Sequence, residues 1–198
     1  KKVYRCIKRT EFFLYDRYSM MEPILPDDIK LIYSDDLMRQ YPNLSPKERE
    51  NEVAKKYGAV FIAGIGGKLP DGTIHDGRAP DYDDWISDAG DGHVGLNGDI
   101  IVWNPVLERA FELSSMGIRV SPESLAAQLK ERGCEERSKL PFHKALLEGK
   151  FAYTLGGGIG QSRLCMFLLR KAHIGETQVS AWPEEMLAEC DKNGIQIL

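Results

Sequence analysis

No stretch of this chain reaches the ~18 apolar residues that a membrane helix needs, so a spanning helix is not expected. Residues 1–20 are charged throughout and offer no apolar core for a secretory signal. No two of the four cysteines (Cys6, Cys134, Cys165, Cys190) have C-x-x-C spacing, which removes a zinc ribbon and a thioredoxin-type motif. Scattered thiols in a chain with 42% apolar residues read as reduced packing residues of a cytoplasmic protein. His75, His93, His143 and His173 are never three or four apart, so none pairs as metal ligands at helical spacing, and each reads as a surface or core histidine. Basic charge is not in surplus: 26 Lys+Arg stand against 30 Asp+Glu. A large nucleic-acid footprint wants a basic face and is not expected. There is no repeat, and no Ser/His/Asp or Cys/His triad can be argued. Nor is there a methionine at the start. The sequence begins Lys1-Lys2-Val3, which is expected of a processed or trimmed piece of a longer protein.

What is present is ordinary globular composition, long enough at 198 residues for one domain with a core. Val3, Ile7, Phe12, Phe13 and Leu14 fall at helical spacing over residues 3–20. Ile29–Tyr33 predicts a short strand. Ser45-Pro46-Lys47-Glu48 predicts a capped helix start, running to Tyr57 with Gly58 as the stop. Ala59–Ile65 predicts a buried strand. Strand signals return at Asp99–Trp103 and Phe111–Val120, a helix opens at Ser121-Pro122 and ends at Gly133, and Leu140–Leu147 predicts another. Ala152–Leu155 predicts a strand and Gly160–Lys171 a helix apolar on nearly all sides, hence buried. Between these lie residues 66–98, with eight glycines and seven aspartates among 33 residues. So long a segment with little pattern is functional or disordered. The pattern favours an α+β fold, a mainly antiparallel sheet flanked by helices.

Four constellations carry chemistry. With a hairpin turn centred on Pro105-Val106, Asp99 faces Glu112, while Ile100, Val102, Phe111 and Leu113 share the other face. Opposed carboxylates repel unless a cation lies between them, and Mg²⁺ accepts carboxylates together with phosphates. The alternative is two solvated acids near a sheet end. Leu155-Gly-Gly-Gly-Ile-Gly-Gln-Ser-Arg163 reads as strand, glycine turn and helix, with room for a ligand at the backbone. It matches neither the Walker A loop nor G-x-G-x-x-G. Arg163, in the first turn of a buried helix, needs a phosphate, an aromatic face or a structural carboxylate as partner. In Glu112-Leu-Ser-Ser-Met-Gly-Ile-Arg119, Ser114 lies on the Glu112 side and Arg119 ends the strand. The loop from Gly66 to Trp85 groups acids with Lys68 and Arg78, either as a solvated loop or as a site for a small amino acid.

Taken together, an acid, a strand turn, Glu-Leu-x-x-x-Gly-x-Arg and a glycine run ending in Arg resemble the ATP site of class II aminoacyl-tRNA synthetases. The strings GIGGKLPDG, HDGRAPDYDDW, GLNGDIIVWNPVLERAFELSSMGIRV and GGGIGQSRL are closely similar to ammonia-dependent asparagine synthetase, the aspartate–ammonia ligase family. The resemblance covers roughly residues 25–183, with the first helix and the tail matching loosely. It implies a class II synthetase-like catalytic core in a homodimer, with ATP, Mg²⁺, L-aspartate and ammonia as ligands and no nucleic acid or membrane partner. It implies that ATP activates L-aspartate as β-aspartyl-AMP, which ammonia then converts to asparagine.

Residue by residue, it implies that Asp99 and Glu112 hold Mg²⁺ and nucleotide. Leu113, Ser114 and Ser115 line the adenylate and aspartyl site. Arg119 and Arg163 contact the nucleotide, Gly156, Gly157 and Gly158 form the floor, and Asp83 with Arg78 serves the amino-acid and ammonium side. Residues 1–198 then form a single unit, the C-terminal part of that catalytic domain, because the first and second class II motifs are not found upstream of residue 59. Two other readings stand: a core of an aspartyl- or asparaginyl-tRNA synthetase, and a non-catalytic paralogue that keeps a nucleotide and amino-acid pocket.

Overall fold

A computed structural model describes residues 1–198. Five strands form one sheet in the order β1 (Lys30–Tyr33), β2 (Ala59–Ala63), β5 (Asn97–Asn104), β6 (Arg109–Ile118) and β7 (Leu155–Ile159). β1 runs parallel to β2, and every other pairing is antiparallel. A separate two-stranded ribbon, β3 (Asp88–Gly90) with β4 (His93–Val94), lies within the Gly/Asp segment, where the sequence showed no regular pattern.

Alternation along the strands supplies both faces of the sheet with core. On one face Ile100, Val102 and Leu113 pack with Tyr4 and Ile7 of α1 (Lys2–Tyr18) and with Phe167 and Leu168 of α6 (Gln161–Leu168). On the other, Val60, Ile62 and Ile101 pack with Leu37 of α2 (Ser34–Gln40) and with Val53 and Ala54 of α3 (Pro46–Tyr57). A third cluster joins Val120 to Leu125 and Leu129 of α4 (Pro122–Glu131) and Leu146 of α5 (Pro141–Leu147). The expected Ser45–Glu48 capping box is formed, with Pro46 at the first turn and Gly58 at φ 74° as the stop. α2 and the acidic α7 (Glu184–Lys192) are too short to announce themselves by period.

The hairpin differs from the expected register. Asn104 Oδ1 accepts the N–H groups of Val106 and Leu107, and Glu108 turns at φ 49°. The turn therefore closes at Asn104–Arg109, and Ile101 rather than Asp99 faces Glu112. A bulge at Ile100/Ile101 then drops Leu113 from the ladder, so Asp99 meets Ser115 and Ile100 meets Ser114. The two faces keep their expected residues, because Ile100, Val102, Phe111 and Leu113 do share one core. The glycine run also differs: Gly156–Gly158 is the body of β7, not a turn beyond a strand at Ala152–Leu155. α6 buries Met166, Phe167 and Leu168, while its first turn, with Arg163, is at the surface.

One buried carboxylate ties the N-terminal helix to the rest. Glu11 on α1 is 3% exposed, accepts the N–H groups of Ile24 and Leu25, and pairs with Arg170 beyond α6 at 3.1 Å. Removing one partner of a buried pair strands the other charge. Glu11→Ala is expected to cost about 3 to 5 kcal/mol in urea unfolding, and Glu11→Gln less, because it keeps an acceptor for one N–H.

Candidate active site

The α2/α3 face of the sheet carries two polar rows across β5, β6 and the edge strand β7. Asp99, Ser115 and Gly158 form one, on β5, β6 and β7; Asn97, Gly117 and Gly156 form the next. A Cβ on Gly158 would meet nothing within 4 Å, so the space above it is open. Cβ atoms on Gly117 and Gly156 would come within 2.8 Å of the Asp83 carboxyl carbon and 2.5 Å of Arg119 Nη2. These glycines therefore make room for an ion pair. Gly157 faces the other way, where a Cβ would lie 2.7 Å from Met116 Cβ, so it is not part of this floor.

The centre of the site is Asp99, 4% exposed. Its Oδ2 accepts from Arg78 Nη2 at 2.5 Å, and Arg78 Nη1 also donates to Asp76 at 2.8 Å. Its Oδ1 is buried without a partner. Burial pushes the Asp99 carboxyl above its usual range, and Glu112 adds to this, against the pull of Arg78 and Ser115. Burial works against the Arg78 charge, but Asp99 and Asp76 hold the guanidinium protonated.

Two further pairs flank this centre, one on either side of it along β6. On one side, Arg163 Nη1 lies 3.3 Å from the Glu112 carboxylate, beside a 240 Å³ cavity bordered by Leu113, Gly160, Gln161 and Ser162. On the other, Arg119 pairs with Asp83, bonds the Tyr82 hydroxyl at 3.1 Å and lies 3.9 Å over the Tyr82 ring. Six residues of strand separate Glu112 from Arg119, about 20 Å between their Cα atoms. Arg119 and Arg163 thus pair with acids at two different points along β6, with the Arg119 guanidinium turned back over Gly156. Ser115, not Ser114, stands by Asp99: the bulge reverses the facing, and Ser114 is buried opposite Ile100 with its hydroxyl unpartnered. The Leu113 side chain is core.

Asp99 and Glu112 are not directly opposed, yet they share a face, because Asp99 and Ile101 are alternate residues and Ile101 pairs with Glu112. An orphaned, buried carboxylate oxygen beside a second acid is a donor set that fits Mg²⁺.

The segment carrying Arg78 and Asp83 has little helix or strand of its own and is held from outside. His75, 4% exposed, meets Glu50 of α3 at 3.1 Å, and Lys47 closes on the same carboxylate. Arg132, which caps the end of α4, donates to the Gly66 carbonyl and lies 4.8 Å over the Trp85 ring. Gln128 of α4 bonds three backbone groups between Pro80 and Trp85. On the outer side, His93 stacks on Tyr33 and joins Asp35 and Asp36, whose carboxylates already share Arg39. Sequence spacing missed the partners of His75, His93, Arg132 and Gln128, because they lie 25 to 66 residues apart.

Burial raises the Glu50 carboxyl, but His75 and Lys47 outweigh it and hold it below its ordinary value of 4.5. A depressed folded value means stability that is present above 4.5 and lost as pH falls through the folded value. Glu50→Gln is therefore expected to be less stable than the wild type at pH 7. That gap should narrow in urea titrations run below about pH 4.5.

The family model described as aspartate-ammonia ligase matches residues 1–194, so the likeness reaches α1 and α7, further than the sequence strings suggested. A relative from Clostridium perfringens (strain SM101 / Type A), called aspartate--ammonia ligase, is 54% identical over 198 residues. One of the same name from Parabacteroides distasonis is 53% identical. Each match covers 100% of this chain but 56% and 57% of the relative, so the chain spans a little over half their length. Among solved structures, asparaginyl-tRNA synthetase from Pyrococcus horikoshii complexed with asparaginyl-adenylate superposes at TM-score 0.58 and 16% identity. It covers 87% of this chain and 40% of that one. Aspartyl tRNA synthetase from Entamoeba histolytica gives 0.56 at 15% identity, covering 89% and 36%. These two share the fold.

Proposed function

The chain belongs to the aspartate–ammonia ligase family, and on that footing we propose that it forms one wall of an ATP-dependent ligase site making L-asparagine from L-aspartate and ammonia. The observation that carries the reading is the line of three ion pairs: Arg163–Glu112, Arg78–Asp99 and Arg119–Asp83 along one sheet face. An aminoacyl-adenylate is itself linear, with a base at one end, a phosphate in the middle and an acyl group at the other. The named ligand of the Pyrococcus synthetase, asparaginyl-adenylate, is of this kind.

On this reading the nucleotide base lies by Arg163 and Glu112, the phosphates by Arg78, Asp99 and Ser115 over Gly158, and the aspartyl group by Arg119 and Asp83. This moves Arg119 from the nucleotide to the amino acid. Asp99 and Glu112 would hold Mg²⁺, which when bound supplies positive charge to the phosphate oxygens.

The chemistry has two displacements. The β-carboxylate oxygen of aspartate attacks the α-phosphorus of ATP and pyrophosphate leaves. Ammonia then attacks the acyl carbon, the bond to AMP breaks, and one proton is lost from nitrogen. Arg78 lowers the charge that builds on phosphate, as a fixed cation in a dry site does best. The substrate carboxylate competes with Asp83 for Arg119. Once it wins, Asp83 is free to face ammonium and take its proton. A homodimer and a cytoplasmic location are carried over with the family resemblance, and four free cysteines fit the second.

The test is the protein with ATP, L-aspartate and ammonium, following AMP and asparagine. Equal amounts support the ligase, AMP formed only with tRNA points to a synthetase, and nucleotide binding without turnover to a paralogue. Arg163→Ala is expected to slow aspartate-dependent exchange of pyrophosphate into ATP at least tenfold, and Asp99→Asn to weaken the dependence on Mg²⁺. An unchanged exchange rate or Mg²⁺ titration removes that residue from the assignment.

A further inference from the structure

Gln128 is fully buried (0% exposed) on α4 and has no place in the reaction drawn above. Its amide nitrogen donates to the carbonyls of Pro80 at 2.8 Å and Asp83 at 3.1 Å. Its amide oxygen accepts the Trp85 N–H at 2.8 Å. Both donors and an acceptor of one side chain are thus spent on a single six-residue turn. That turn also returns to β6, where Asp84 N–H donates to the Ile118 carbonyl and Asp83 bridges Arg119. The Asp83 side chain then passes within van der Waals reach of Gly117 to meet Arg119.

We infer that Gln128 is a positioning residue for the aspartyl end of the site: it fixes the Pro80–Trp85 turn so that the Asp83 carboxylate meets Arg119. Without it, three buried backbone groups lose their partner together, and the turn can satisfy them only by moving toward water. A small shift there matters, because Gly117 leaves Asp83 no slack on one side. The inference rests on the ligase reading for its kinetic consequence, not for its structural one.

The experiment uses the whole protein with Gln128→Met, close in size and apolar, and with Gln128→Glu, which keeps the acceptor for Trp85 and loses both donors. The first measurement needs no turnover. The side-chain ¹⁵N signals of Arg119 should be distinct in the wild type, since a paired guanidinium rotates slowly. They should collapse in both variants as they do in Asp83→Asn. Unchanged Arg119 signals in a folded Gln128→Met overturn the proposal.

The second measurement is aspartate-dependent pyrophosphate exchange. KM for aspartate should rise at least tenfold while KM for ATP stays within twofold, a split that general loosening would not give. In an Asp83→Asn background the same change should add less than twofold, since the residues act through one contact. Fully additive losses overturn the proposal. A wild type without exchange removes the ligase reading, and the Arg119 spectrum then decides the positioning role alone.

Discussion

Asp99 is a carboxylate buried in the middle of a central strand, and the structure around it is arranged to make that tolerable. Its neighbours along β5, Ile100 and Ile101, feed the two cores on opposite faces of the sheet, so the strand cannot shift to release it. A buried charge needs a partner. The partner, Arg78, comes from a segment with little helix or strand of its own to place it. Several long-range polar contacts serve that delivery: Glu50 on His75, Arg132 on Gly66 and Trp85, Gln128 on the following turn. The helices α3 and α4 thus bind the segment on two sides, and the cost of ordering a glycine-rich loop is met by contacts with rigid elements.

The glycines of the loop and of β7 serve different ends. Gly66 sits at φ 120°, and a Cβ there would reach Trp85 and Arg78 at under 3 Å, so it lets the chain turn against both. Gly117 and Gly156 lie in extended strands and need no special backbone. They are empty side-chain positions, and the vacated volume is filled by the Asp83–Arg119 pair. Gly158, on the same face, stays open to a ligand.

Much of this was legible in the sequence because it depends on local rules. The Ser45–Glu48 cap, the Gly58 stop and the assignment of Ile100, Val102, Phe111 and Leu113 to one face follow from spacing alone. The hairpin register was not legible, because it turns on the Asn104 side chain and on a bulge at Ile100/Ile101 that strand spacing does not announce. That one slip decides which serine faces Asp99. The strand at Gly156–Gly158 was missed for a related reason: glycine has poor strand propensity, and here the ladder to Ser115, Met116 and Gly117 overrides it. The partners of His75, Arg132 and Gln128 carry no signal in sequence at all.

Each arginine along the site is held by a carboxylate before any ligand arrives. This has an electrostatic consequence. Three unpaired guanidinium groups on one sheet face would repel one another and draw the loop outward, whereas paired ones keep the open site near neutrality. On the proposed reading a polyanionic ligand would not meet bare cations; it would exchange places with Asp99, Asp83 or Glu112. The exchange would lower the gain on binding, but it would convert each displaced carboxylate into a free acid at a defined point. At the Asp99 and Glu112 positions such acids suit a divalent cation, and at Asp83 an ammonium ion. The same three pairs would thereby present cations to the phosphates and the substrate carboxylate, and acids to the metal and the nucleophile, with no large movement of the chain.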